Sequence, residues 1–207
     1  MGKILLSTAY HPPISFMMQF LSGKAIHIEH AENFQKQSYR NRCLIFSANG
    51  PLALSVPVIR TNGNHTRITD ILIDNSKPWQ KIHWRAIESA YNGSPFFLYY
   101  RDEIEPFYTR QEYSLAEMNA SILATLLKCL RLDPLIQYTT EYQKAGLRVI
   151  DLRKAIHPKK PSVVSHFPAY IQVFSNRHGF LPDLSILDLL FNLGPEVATY
   201  LRSILNS

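Results

Sequence analysis

The chain has 207 residues, 46% apolar and 18% charged, which suits one compact domain or a domain with a helical appendage, with enough apolar content to bury a real core. Its 22 Lys and Arg against 16 Asp and Glu give a formal charge of +6, which favours an anionic ligand or partner without choosing among nucleotide, phosphate and nucleic acid. Cys43 and Cys129 stand far apart with no CxxC or His-Cys spacing, which argues against a disulfide scaffold or a zinc site and fits a reducing cytoplasm, and no apolar run approaches the ~20 residues of a membrane span.

Lys3 to Ala9 reads as a buried strand that stops at the turn Tyr10-His11-Pro12-Pro13. Pro13 suits the first position of a helix whose apolar residues Ile14, Met17, Met18 and Leu21 fall at i, i+3, i+4 and i+7, with Gly23 ending it. Ala25 to His30 alternates as a second strand, so strand, helix and strand predict a parallel βαβ start. Cys43 to Ile59 holds two apolar runs around Asn49-Gly50, a hairpin signal, and Ile71 to Ile73 a further short strand.

The middle turns helical. Trp79 to Tyr91 carries an apolar stripe, Ser94-Pro95 opens a second helix rich in Phe and Tyr, and Ser114 with Glu117 caps a third that runs to about Leu130. Leu135 to Thr140 is predicted as a strand, and the basic stretch Gln143 to Pro161 as a mobile connection. Pro182 to Ser185 opens an apolar helix that Gly194 ends, and Pro195-Glu196 starts another. The expected fold is α/β: an N-terminal mixed sheet with a βαβ start and a hairpin, then a helix-rich middle and C-terminal helices. Residues 1–142 would form the core, 143–166 the basic connection, and 167–207 a helical segment packed on the core. The leucines of that last segment exceed what one short helix needs, so they cover either their own chain or a second copy in a homodimer.

Tyr10-His11-Pro12-Pro13 lies where a strand gives way to a helix, the place where α/β folds gather ligands. His11 can there bond a phosphate or move a proton, or simply satisfy the turn. The turn has no glycine, which argues against a dinucleotide or Walker loop. Lys36, Tyr39, Arg40, Asn41 and Arg42 crowd cations and amides into one stretch. Guanidinium forks there can hold phosphate or carboxylate, and the alternative is a solvated basic edge that blunts the sheet. Trp79 and His83 form an i, i+4 pair that either faces a pocket or packs. No GxSxG, HExxH or Cys-His pair occurs.

Through these residues and others along its length, most of the chain resembles the WbqC-like family, whose members are often encoded among bacterial surface-polysaccharide genes. The resemblance rests on Tyr10 to Phe16 as a divergent opening motif, on Tyr39-Arg40-Asn41-Arg42 with Lys36, on Val56-Pro57-Val58, on Trp79 to His83 and on Ser94-Pro95-Phe96-Phe97. Asn119 and Leu184 to Asn192 complete it. Tyr39 to Cys43, Ala48 to Leu54 and Trp84 to Tyr91 are similar to the version in Bacteroides-type bacteria. Two departures stand out: Tyr10-His11 replaces the family's Gln-Pro, and a glycine-rich stretch is missing between Tyr142 and Phe167.

The resemblance implies a group transferase or ligand-binding protein acting on an activated, nucleotide-linked sugar. For such an enzyme the residues themselves offer His11 or His83 to move the proton, with Tyr10, Lys36, Tyr39, Arg40, Asn41, Arg42, Trp79 and Asn119 as the candidate substrate-binding set. No cofactor or metal is specified. The alternative is a non-catalytic nucleic-acid- or protein-binding module, which the modest charge and core-like aromatics make the weaker reading.

Overall fold

A computed structural model describes residues 2–205. Strand β1 (Lys3–Ser7) is buried from Ile4 onward, as an apolar run covered on both faces requires. It is followed by a one-turn helix α1 (Ile14–Met17), which tightens into a 3-10 turn over Met18–Leu21. The helix expected through Leu21 is therefore half α and half 3-10. Strand β2 (Ala25–Glu29) lies parallel to β1, completing the anticipated βαβ start.

Strands β3 (Arg42–Ser47) and β4 (Gly50–Ser55) form the hairpin, a ribbon separate from the parallel sheet, and β5 (Val58–Ile59) pairs with β6 (Leu72–Ile73). The helices are α2 (Trp79–Tyr91), α3 (Phe97–Ile104), α4 (Pro106–Thr109) and α5 (Leu115–Cys129). Ser114 caps α5 by accepting a 3.3 Å bond from the Glu117 amide. Strand β7 (Ile136–Tyr138) then joins the parallel sheet beside β2.

Strand β8 (Val149–Asp151) follows, in the stretch expected to be a mobile connection, and it pairs in parallel with β1. Three residues among basic and polar neighbours carry too little periodicity to be read as a strand; their partner exists only in three dimensions. The four-stranded parallel sheet has the order β7-β2-β1-β8. The chain leaves β1 toward β2 and returns from β7 to the far flank of β1. Strand order thus reverses between β1 and β8, where open α/β sheets hold ligands outside the strand carboxyl ends.

The C-terminal helices α6 (Ser175–His178), α7 (Ile186–Leu193) and α8 (Val197–Leu205) close the fold. Helix α7 is buried from Ile186 to Asn192 and packs on α1, α3 and β3, while α8 packs on α7 and the 3-10 turn after α1. Leu187, Leu190, Leu201 and Ile204 are thereby covered by their own chain. The apolar excess that suggested a homodimer is already used. Among the described residues no helix is long and apolar enough to cross a membrane.

Gly194 shows how closely this cap fits. Its φ is +54°, and a Cβ built on it would lie 2.5 Å from the Phe96 ring. Gly194→Ala is expected to destabilise the protein by about 1–3 kcal/mol in urea denaturation, through overpacking and left-handed strain. Gly146→Ala, where no atom lies within 4 Å, should stay within about 0.5 kcal/mol.

Candidate functional site

The carboxyl ends of all four parallel strands are tied together by two buried arginines. Arg40, 2% exposed, grips Glu32 with a fork: Nε donates to Oε1 at 2.8 Å and Nη2 to Oε2 at 2.6 Å. The same Nη2 donates to Ser7 Oγ at the end of β1, at 2.6 Å. Arg153, after β8, donates from Nε and Nη2 to Asp151 and from Nη1 to Glu29 Oε2 at 2.8 Å. Ser7 Oγ in turn donates to the Arg153 carbonyl at 3.3 Å, so one hydroxyl joins both arginines.

Glu29, at the end of β2, is saturated. It accepts from Thr139 Oγ1 just after β7, from the Ala31 amide at 2.9 Å and from the Gln143 amide at 2.9 Å. Bonding to Arg153 holds the Asp151 carboxyl below its ordinary range. Two guanidinium groups face three carboxylates here, so the edge itself is not electropositive. Arg40, expected to hold a ligand phosphate or carboxylate, holds the carboxylate of Glu32.

The early loop and the arginine stretch do converge. The Tyr10 amide donates to the Tyr39 carbonyl at 2.8 Å, and Asn119 Nδ2 donates to the Arg40 carbonyl at 2.8 Å. The crevice between β1 and β8, walled by Thr8, Tyr39, Leu152 and Ile156, retains only about 10 Å³. Beside it opens a cleft of about 410 Å³ lined by Glu32, Gln35, Asn64, Tyr142, Arg153 and Lys154. The Arg153 guanidinium lies 4.5 Å over the Tyr142 ring, a cation–π contact that shapes the cleft wall. A second cleft of about 400 Å³, lined by Tyr99, Glu103, Lys128 and Arg131, lies away from the strand ends.

His11 and His83 are not in the cleft. They end a sealed chain in which His11 Nε2 meets Tyr108 Oη at 2.9 Å, Tyr108 meets Tyr10 at 2.8 Å, and Tyr10 meets His83 Nδ1 at 2.9 Å. His11 is fully buried at φ +39°, and His83 is 5% exposed. The Ser55 backbone favours the protonated form of the His83 ring. His11 Nδ1 is buried and has no partner among the described residues. Burial, with His83 adding to it, holds His11 down to about 3, and burial holds His83 down to about 4.

The remaining expected residues divide. Trp79 is buried edge-on to His83, and its Nε1 donates to Asn75 Oδ1 at 3.2 Å. Asn41 closes the base of the hairpin through Val56, with its Nδ2 donating to the Val56 carbonyl at 2.8 Å. Tyr39 is half-buried and Lys36 exposed. Arg42 is half-buried and has no carboxylate partner among the described residues. Sequence reasoning missed Ser7, Glu29, Glu32, Thr139, Asp151 and Arg153. Ser7, Glu29 and Asp151 are each the last residue of a parallel strand, a position that itself marks polar groups at a ligand edge.

A family model described as the WbqC-like protein family matches residues 8–165, the span that holds both arginines and the His-Tyr chain. The chain belongs to the WbqC-like protein family. This WbqC-like protein is also 27% identical over 194 residues to an uncharacterized protein, Rv1507c, of Mycobacterium tuberculosis, covering 82% of this chain and 84% of that one. No solved structure gives a significant match.

Removing one partner of a buried ion pair strands the other. Arg40→Met should cost about 3–5 kcal/mol in urea denaturation, and adding Glu32→Leu should restore most of that loss. An unaltered midpoint in Arg40→Met would show the pair to be inert. The two histidines set a pH dependence. Both are neutral in the folded protein, whereas unfolded imidazoles take up protons near pH 6.5. The unfolded chain therefore binds more protons as pH falls from 6.5 to about 4, and stability drops over that window. Tm should decline across it, and less steeply in His83→Gln; identical slopes would remove the histidines as the cause.

Proposed function

We propose that this WbqC-like protein binds an anionic small molecule over the carboxyl edge of its parallel sheet, and that it serves as a group transferase or ligand-binding protein for a nucleotide-linked sugar of surface-polysaccharide metabolism. The observation that carries this reading is the cleft of about 410 Å³ beside Arg153, floored by the ion-paired strand ends. Its size falls within the range of roughly 300–1,000 Å³ typical of small-molecule sites.

The chemistry of the lining supports a polyhydroxylated, charged ligand. Gln35, Asn64 and Glu32 offer planar donors and acceptors of the kind that hydroxyl groups match, and Lys154 offers a solvent-facing cation. Arg40 and Arg153 orient the lining rather than bind the ligand's charge themselves. Their carboxylate partners keep both guanidinium groups fixed, which provides the preorganisation a binding site needs. His11 and His83 act through position: their chain anchors the loop after β1, from which Thr8 and Ala9 reach the crevice. A nucleic-acid platform stacks bases on a series of exposed aromatic rings, whereas Phe97, Tyr100 and Tyr108 are buried and Tyr99 alone of that helical aromatic group stands well exposed.

The test is thermal shift against a panel of nucleotide-sugars. A ligand at ~100 times its dissociation constant stabilises by ~2.7 kcal/mol, so a clear rise in Tm is expected with at least one member. Tyr142→Ala and Lys154→Ala should each reduce that rise while leaving the unliganded Tm nearly unchanged. A flat response across the panel would overturn the reading.

A further inference from the structure

Two basic segments far apart in the chain come together where Lys159 reaches Gln37. Arg42 opens β3, with its Nε buried and without a hydrogen-bond partner among the described residues. His157, Lys159 and Lys160 lie in the turn after β8, where the Lys160 amide donates to the His157 carbonyl at 3.0 Å and the Lys159 amide donates to His157 Nδ1 at 3.1 Å. That second bond makes Nδ1 an acceptor and leaves the proton on Nε2. Lys159 Nζ donates to Gln37 Oε1, stitching the turn to the loop that precedes Arg40.

The gathering is electrostatic as well as geometric. The half-buried His157 ring is held below its ordinary range by desolvation, then by the fields of Lys160, Arg40, Lys159 and Arg42. Arg40 is neutralised by Glu32. Arg42, Lys159 and Lys160 have no carboxylate within 4 Å among the described residues. Like charges held together are unfavourable unless an anion lies among them, and a phosphoryl group accepts from guanidinium, ammonium and imidazole N–H at once.

We infer that Arg42, His157, Lys159 and Lys160 form an oxyanion site for the phosphoryl groups of a small molecule, a diphosphate by the number of donors. The inference deepens the proposed function and rests on that reading for its place in it. The link is Lys154, which lines the cleft and whose carbonyl accepts from Lys160 Nζ at 2.9 Å. A diphosphate on the cluster would thus direct the rest of its molecule toward Gln35 and Tyr142.

The experiment is calorimetric titration of the full chain with inorganic pyrophosphate at fixed ionic strength, paired with the nucleotide-sugar thermal shift. Saturable binding is expected, weakened about tenfold or more in Arg42→Gln and in Lys160→Gln and unchanged in Lys81→Gln, a control on the exposed face of α2. Lys160 is exposed, so its variant keeps the test decisive should Arg42→Gln fold poorly. The His157 ring resonance should titrate at higher pH once pyrophosphate is bound. Absence of saturable binding, or equal weakening in Lys81→Gln, overturns the site. Nucleotide-sugar stabilisation that survives in both cluster variants sinks the oxyanion site and leaves the cleft reading standing. Pyrophosphate binding through the cluster with no nucleotide-sugar effect does the reverse.

Discussion

The ion pairs at the strand ends constrain everything built above the sheet. Parallel strands present their last residues near one another: register sets Ser7 beside Glu29, while Asp151 ends β8 two residues back, beside Leu5. Carboxylates placed so close together, and so deep, need cations of matching geometry, because an isolated buried charge costs several kcal/mol. Arg40 and Arg153 meet that need from two different loops. The loops that could shape a ligand site are thereby fixed to the same few atoms, and the Ser7 hydroxyl makes them one unit.

Above this floor the polar groups sort by depth. The His-Tyr chain is sealed and neutral, the arginine–carboxylate layer is largely buried with no excess of positive charge, and the cations without carboxylate partners stand at the rim. That ordering follows from desolvation. A neutral hydrogen-bonded chain can sit at zero exposure, an ion pair tolerates little more, and unpaired ammonium groups stay where water reaches them. A ligand edge therefore need not be lined by the most deeply placed titratable residues.

Much of the fold is legible in the residues. Trp79 to Tyr91 and Ser114 to Cys129 combine length, a regular stripe and clear caps or ends, and both are helices over those spans. Asn49-Gly50 between apolar runs places the hairpin. Val149 to Asp151 was illegible because its three residues sit among basic and polar neighbours, whereas the equally short β7 lies in a stretch that Pro134 sets off from the preceding helix. The meeting of Tyr10 with Tyr39 was legible as two polar segments flanking strand ends. The pairing of Arg40 with Glu32 was not, since density of cations says nothing about which carboxylate lies opposite. His11 looked accessible because turns usually are; the Tyr108 and Tyr10 hydroxyls that enclose it come from geometry alone.

The lateness of β8 in the chain bears on how the protein is made. Strand β1 is the second strand from one side of the sheet and the first to leave the ribosome, yet its outer edge stays bare until Val149 to Asp151 have been synthesised. Glu29 likewise waits for Arg153. A nascent chain holding everything up to the end of β7 thus carries an unpaired strand edge and an uncompensated carboxylate. Such edges invite pairing with other chains, and contacts of this sequence separation form slowly. Escape from that exposed stage is governed by a short basic segment with almost no intrinsic structure of its own.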